Sequence, residues 1–247
     1  MTEFEIDNPR AGIVHKRDVQ IDDVEWLYWI KEDVGGFGIK DKDGPIFDWQ
    51  GSVDDIIGAC KNFDVVVQAG GCMGMYPRFY CKYFKQIYTF EPNPATYEVL
   101  KMNATPQIIH ENCALGEGIE PNVGVNLIGS QEKWANYGAC SVFDLDRYGS
   151  HKTDEEALLK GDIPVRSIDS LNLEKCDLIH LDVEQYEPYV ILGAMETIEK
   201  FKPVIVLETS VDIPGYSVGR QLRNNLLYVP LYTPKQSWVH GRSTAEK

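Results

Sequence analysis

The stretch Phe63-Asp64-Val65-Val66-Val67-Gln68-Ala69-Gly70-Gly71-Cys72-Met73-Gly74 decides the fold. Its first six residues are a short apolar run rich in β-branched side chains, which suits a strand buried on both faces of a parallel sheet. A glycine cluster follows at once, where the backbone can turn sharply and lie against a neighbour without a Cβ in the way. Reading outward, strand and helix patterns alternate. A helix is expected over 77–84 and a second strand over 86–91. Asn93-Pro94 starts a helix for a physical reason: Asn caps free amides, and Pro fits the first turn, where no amide bond is lost. That helix runs to about Asn103, and 107–112 gives a third strand.

The pattern resumes downstream. Strands are expected over 123–128, 141–143 and 163–166, with a helix over 154–160 between them. Residues 177–182 and 203–208 read as buried strands, each ending in an acid. Between them, Val190, Ile191, Ala194, Met195 and Ile198 give a helix over 188–200 one apolar face. Repeated strand–helix units imply right-handed crossovers, hence an α/β fold with a doubly wound, mostly parallel sheet. The first 60 residues differ. Trp26, Tyr28, Trp29 and Trp49 stand among acids, and a short helix over 52–60 has Ser52 as its expected cap. These aromatics read as packing residues.

Composition narrows the function. The 247 residues are 43% hydrophobic, enough for a sizeable core, so wholesale disorder is excluded. The 24 basic residues against 38 acidic ones leave a net charge of −14, which argues against gripping nucleic acid by phosphate neutralisation. No run approaches the ~20 apolar residues of a membrane span. The acidic start lacks the features of a secretory signal. Six cysteines without a C-x-x-C pair and five histidines without H-E-x-x-H spacing suggest a cytoplasmic, metal-free chain with reduced thiols.

In such sheets ligands bind outside the carboxyl ends of the strands, at the switch point of strand order. Two features meet that description, the loop from Gln68 to Gly74 and Glu91 at the next strand end. A carboxylate there can accept bonds from the ribose hydroxyls of an adenosine group. Both NAD and S-adenosylmethionine fit the pairing. The dinucleotide fingerprint falls on Ala69, Gly71 and Gly74, so its first glycine is missing. Met75-Tyr76-Pro77 also makes the helix start bulky and removes an amide donor from any pyrophosphate cradle. The balance favours the sulfonium cofactor, with a NAD-dependent oxidoreductase as the open alternative.

These residues resemble the FkbM-type S-adenosylmethionine-dependent methyltransferases. That family's pattern is D-x-G-A-N-x-G, then F-E-P-N-P, N-x-A-L-G, K-I-D-V-E-G-x-E-x-x-x-L-x-G-A and K-P-x-I-x-x-E. Here Gln68 to Gly74 is followed by Phe90-Glu91-Pro92-Asn93-Pro94 and Asn112-Cys113-Ala114-Leu115-Gly116. His180-Leu181-Asp182-Val183-Glu184-Gln185-Tyr186-Glu187, then Leu192-Gly193-Ala194, and Lys202-Pro203-Val204-Ile205-Val206-Leu207-Glu208 complete the series. The departures are Gln68 for the first Asp, Cys72 for Asn, His180 for Lys and Gln185 for Gly.

The resemblance implies a Rossmann-like αβα sandwich over 61–240, after an N-terminal extension over 1–60. It implies that Gly70, Gly71 and Gly74 contact the cofactor's methionine part, with Gln68 offering its carbonyl oxygen to the amine. Glu91 would hold the ribose, and the stretch from Asn112 to Ala114 would border the adenine. Asp182 would face the methyl-transfer centre. The expected reaction is O-methylation of a sugar or other small hydroxylated acceptor, and a catalytically degenerate member acting as a binding module is a further alternative. Asp182 is the preferred base or orienting group and His180 a second candidate, its ordinary pKa lying near ~6.5. Glu187 reads as helix N-terminal charge. Acceptor specificity is expected on loops over 116–162 and 210–235, where Tyr137, Tyr148, Tyr216 and Tyr228 are candidates to stack on a sugar. No metal is expected, since His180, Asp182 and Glu184 at i, i+2, i+4 make a weak ligand set.

Overall fold

The structure is a computed structural model, and it describes residues 5–21, 24–33, 40–41, 44–45, 49–118, 123–126, 137, 141–144, 158–159, 163–222 and 225–231. In chain order the strands are β1 (Glu5–Asn8), β2 (Gly12–Ile21), β3 (Val24–Ile30), β4 (Lys40–Asp41), β5 (Gly44–Pro45), β6 (Val65–Ala69), β7 (Gln86–Phe90), β8 (Ile108–Glu111) and β9 (Ala114–Leu115). There follow β10 (Val123–Asn126), β11 (Ser141–Asp144), β12 (Leu158–Leu159), β13 (Val165–Arg166), β14 (Leu178–Leu181), β15 (Val204–Leu207), β16 (Tyr216–Gln221) and β17 (Leu226–Pro230). The helices are α1 (Trp49–Ala59), α2 (Met75–Tyr80), α3 (Pro94–Asn103), α4 (Glu187–Leu192) and α5 (Met195–Phe201).

The central sheet has seven strands in the order β16-β17-β15-β14-β6-β7-β8. The five from β15 to β8 run parallel, whereas β17 is antiparallel to both β15 and β16. β6, β14 and β15 are buried along their whole length, as the continuous β-branched runs require. Alternate residues serve opposite faces. Val66, Leu178 and Val206 pack with Val53 and Ile56 of α1 and with Phe79 and Tyr80 of α2. Val67, Ile179 and Ile205 pack with Val190 and Ile191 of α4 and Ile198 of α5. Helices therefore cover both faces of a mostly parallel sheet, the α/β class expected. Among the described residues no helix is long and apolar enough to cross a membrane.

Asn93 caps α3 as expected, its Oδ1 accepting from the Ala95 amide at 3.0 Å. Other expectations need correction. The first helix begins at Trp49, so Ser52 lies inside it. The segment after Glu187 is two helices, broken where Gly193 meets Gly116: a Cβ on Gly193 would sit 2.0 Å from the Gly116 carbonyl oxygen. α5 takes its cap from a distant residue, Asp169, whose carboxylate accepts from the Glu196 and Thr197 amides at 3.0 and 2.8 Å. Within the expected helix over 154–160, Leu158–Leu159 instead pairs with β10 as a strand, and the remainder lies outside the described residues.

The N-terminal residues form a three-stranded antiparallel sheet, β1-β2-β3, that the aromatic and acidic composition did not reveal. It packs on α3 and on the glycine loop through Val14, Trp29, Ile30, Met73 and Val99. Asn103 holds the junction. Its Oδ1 accepts from the Tyr28 amide at 2.8 Å, and its Nδ2 donates to the carbonyls of Tyr28 at 2.8 Å and Met73 at 2.7 Å.

Candidate active site

Parallel register lines up the strand ends. Glu111 pairs with Phe90, Phe90 with Ala69, Ala69 with Leu181 and Leu181 with Leu207. One residue further on, the row reads Asn112, Glu91, Gly70, Asp182 and Glu208. Backbone bonds continue the ladder into that row: Glu91 donates to Glu111, Gly70 to Phe90 and Asp182 to Ala69, at 3.1, 3.2 and 3.1 Å. The strand order reverses between β6 and β14, so Gly70 and Asp182 flank the switch point. Their backbones are in close approach. Gly70 has φ 78, and a Cβ there would lie 1.8 Å from the Asp182 carbonyl oxygen.

The glycines divide by role. Gly70 admits the neighbouring strand end, whereas a Cβ on Gly71 would strike Leu100 Cδ1 at 2.6 Å and Thr89 Oγ1 at 2.7 Å. Gly74 (φ 91) starts α2 and lies against Asn103 and Leu100. Gly71 and Gly74 thus permit the loop to settle on β7 and α3. The amides of Gly70 and Gly71 both donate to the Phe90 carbonyl, that of Cys72 to Glu91 Oε2 at 2.6 Å, and that of Gly74 to the Gly71 carbonyl. These four donors are engaged within the chain.

Glu91 is 5% exposed, and its two oxygens accept from the Cys72 amide and, at 2.8 Å, the Asn93 amide. Burial pushes its carboxyl up to about 7, against the opposing pull of bonds from Asn93, Cys72 and Thr96. A carboxylate offers about four acceptor directions, so these partners do not use all of its lone pairs. Asn112 donates through Nδ2 to the Glu91 and Pro92 carbonyls at 2.7 and 3.1 Å, fixing the strand end on which Glu91 stands. Ala114 is buried in β9 beside β13.

Asp182 is half-buried among other acids. Burial pushes it up to about 8, with further contributions from Glu208, Glu184 and Glu187. Burial likewise raises Glu184 to about 7, and Glu208 shifts in the same direction. The ligand oxygens of Asp182, Glu184 and Glu208 lie within 4.8 Å of one another. Glu187, read from sequence as helix-end charge, is instead 0% exposed: its Oε1 accepts from the Val183 amide at 3.3 Å, and its Oε2 has no partner among the described residues.

Two candidates sit one layer below the row. His180 and Gln68 are register partners inside the sheet, two residues short of Asp182 and Gly70. His180 is 0% exposed, its Nδ1 lies 2.7 Å from the Tyr80 hydroxyl, and its ring packs edge-on against Tyr76. Burial drives its pKa down to about 3, so it is neutral at physiological pH. A core position under two tyrosines fits a structural histidine, not a base meeting substrate. Gln68 is also fully buried. Its Oε1 accepts from Thr89 at 2.6 Å and its Nε2 donates to the Ala69 and Gly70 carbonyls at 2.9 and 3.0 Å. Its amide braces the loop from beneath, so the oxygen expected to meet a ligand amine already has a partner.

Two tyrosines proposed for sugar stacking are core residues as well. The Tyr216 hydroxyl donates to the Pro203 carbonyl at 2.8 Å, and that of Tyr228 accepts from the Val211 amide at 3.0 Å. Tyr137 donates its amide to Asp33 at 2.9 Å, and Tyr148 lies outside the described residues.

A glycine turn and strand-end acids at the switch point of a mostly parallel sheet mark the place where α/β proteins of this kind bind ligands. The family model described as the methyltransferase FkbM domain matches residues 57–223. The chain belongs to the FkbM methyltransferase family. Among solved structures, it is similar to a methyltransferase FkbM from Methylobacillus flagellatus KT, with 17% identity and a TM-score of 0.38 over 58% of this chain and 32% of that one. It thus spans about a third of that relative's length. A precorrin-8W decarboxylase from Methanobacterium thermoautotrophicum gives 13% identity and a TM-score of 0.40, covering 77% of this chain and 95% of that one. An rRNA methylase from Streptococcus thermophilus gives 12% and 0.36, covering 74% and 96%. A search of curated proteins finds no match.

Proposed function

We propose that this chain transfers a methyl group from S-adenosylmethionine to a hydroxyl oxygen of a sugar or other small hydroxylated acceptor, on a doubly wound class I sheet. The observation that carries the reading is the single row Asn112, Glu91, Gly70 and Asp182 at the switch point. The cofactor supplies an electrophilic methyl on a sulfonium, and the neutral sulfide that leaves needs no proton. Gly70, lacking a side chain, lets the Asp182 strand end close up beside it and so sets the position of Asp182 in the row. Glu91, held still by two backbone amides, would accept from a ribose hydroxyl. Asn112 steadies that carboxylate's strand end, and its stretch to Ala114 would border the base. Asp182 orients the acceptor hydroxyl and, when ionised, takes its proton onto a carboxylate oxygen. Positioning and exclusion of water supply the remainder.

The dinucleotide alternative is less well supported. The amides of Gly70, Gly71, Cys72 and Gly74 are engaged inside the chain, and α2 is a six-residue helix with Pro77 in its first turn. A pyrophosphate needs free amides at that point. The acids about Asp182 would repel a nucleic-acid backbone, which favours a small acceptor. A cytoplasmic setting belongs to the same proposal and rests on the cysteine pattern.

The test is transfer of label from methyl-labelled S-adenosylmethionine to a panel of sugars and other hydroxylated compounds. The proposal expects labelled ether product with the wild-type chain and at least ~10²-fold less with Asp182→Asn. Label found only on nitrogen or carbon acceptors would overturn the O-directed part. No transfer at all, with cofactor bound, would point to the degenerate alternative.

A further inference from the structure

We infer that Asp182, Glu184 and Glu208 form a binding site for a hard divalent cation, with Glu187 supporting it from beneath. The three carboxylates come from two neighbouring strand ends, after β14 and after β15, and their oxygens lie within 4.8 Å of one another. Oxygen-only donor sets suit Ca²⁺, Mg²⁺ or Mn²⁺. Oxygens bound to one Ca²⁺ ion at ~2.4 Å lie no more than ~4.8 Å apart, and the three carboxylates meet that bound.

An acidic cluster alone would carry little. The second observation is Glu187, a fully buried carboxylate whose Oε2 has no hydrogen-bond partner among the described residues. It is near enough to Asp182, Glu184 and Glu208 for its charge to bear on all three. A buried, unpartnered carboxylate is costly unless a cation offsets it. None of the ion pairs between described residues reaches any of the four acids. The turn that gathers them is itself held in an uncommon conformation, with Glu184 at φ 52 and Gln185 at φ 76. Such strain at a ligand clamp is a recurrent pattern.

An ion held by three protein oxygens keeps positions for water or for an acceptor oxygen. The site would therefore select acceptors with two neighbouring oxygens able to chelate. That consequence rests on the methyl-transfer reading, whereas cation binding does not. The experiment titrates calcium chloride, and separately manganese chloride, into the chelator-treated full chain by calorimetry, with Mn²⁺ also followed by electron paramagnetic resonance. S-adenosylhomocysteine is titrated into the same sample. One ion per chain is expected, with affinity weakened on the order of tenfold or more in Glu208→Gln and in Glu184→Gln. Glu208 is exposed, so its variant tests the site without endangering the core. No binding of either ion at millimolar concentration, or binding unmoved by both variants, overturns the cation site. If S-adenosylhomocysteine still binds in that case, only the cation site has failed. If the ions bind and S-adenosylhomocysteine does not, the cofactor reading has failed instead.

Discussion

Replacing Gly70 by alanine should be among the most damaging single-methyl changes in the chain, and two other glycines show why. At Gly70 the added Cβ would lie 1.8 Å from the Asp182 carbonyl oxygen, and the backbone there has φ 78. A carbon–oxygen contact needs ~3.3 Å, so the ends of β6 and β14 must part by well over an ångström. The left-handed conformation costs an alanine ~1–2 kcal/mol and the forced displacement ~1–3 kcal/mol, offset by ~0.5–1 kcal/mol from the stiffer unfolded chain. The net loss is about 1–4 kcal/mol. Gly215 has the same φ of 78 with nothing within 4 Å of its Cβ position, so Gly215→Ala isolates backbone strain and should cost about 1 kcal/mol or less. Gly193, at φ −79, isolates the clash, its Cβ lying 2.0 Å from the Gly116 carbonyl oxygen. Gly193→Ala should cost about 1–3 kcal/mol. Urea unfolding of the three variants, with midpoints and slopes compared, reads all three values. A Gly70→Ala variant within about 0.5 kcal/mol of Gly215→Ala would refute the close approach on which the position of Asp182 depends.

Other expectations follow from the same contacts. Asp182→Asn should leave affinity for S-adenosylhomocysteine little changed while turnover falls, and a separate binding titration beside the rate assay checks the split; an unchanged rate removes Asp182 from the chemistry. Cofactor affinity should depend on pH through Glu91. Its carboxyl is raised to about 7, a ribose hydroxyl donates best to the ionised form, and so affinity should fall about tenfold per pH unit below 7 and level off above it. Calorimetry from pH 5.5 to 8.5 tests this, and a flat profile counts against the assignment. Folding stability should run the opposite way: an acid held above its unfolded pKa favours the folded state at low pH, and this contribution is lost as pH rises from about 4.5 to about 7. Asn103→Ala removes three hydrogen bonds and should cost about 2–3 kcal/mol, seen in urea unfolding together with faster proteolysis between β3 and α1. Gln185→Gly should stabilise the chain by about 0.5–1 kcal/mol, because Gln185 is exposed at φ 76; a loss of stability would mean that its side chain is needed there.

Much of the central architecture is legible in the residues because local and global signals agree there. The run from Val65 to Ala69, the Asn93-Pro94 start of α3 and the strand-end acids Glu91, Asp182 and Glu208 each carry a pattern that burial in a parallel sheet explains. The departures from the family pattern also acquire a meaning. Cys72 and Gln185 stand where that pattern has Asn and Gly, and both occupy left-handed backbone, at φ 44 and φ 76, which Asn and Gly tolerate best. What could not be read depends on partners far away in the chain. β1, β2 and β3 are fixed by packing on α3 and by Asn103, some 75 residues beyond Tyr28. The break before α5 comes from Gly193 meeting Gly116, and its cap from Asp169. His180 and Gln68 carry polar atoms that suit a ligand, and only the register shows them one layer beneath the row, where Tyr80 and Thr89 claim those atoms. Glu187 misled in the opposite direction. An acid at a helix start is normally solvated, and nothing in the local sequence marks this one as buried.

The most direct measurement is calorimetric titration of S-adenosylhomocysteine into the full chain, beside Glu91→Ala and beside NAD as competitor for the same row. Saturable binding at one site per chain, lost or weakened at least tenfold in Glu91→Ala and unmatched by NAD, is the expected result. Absence of binding to the wild-type chain, or equal binding to both proteins, would mean that the strand-end row beside Glu91 seats no adenosyl group.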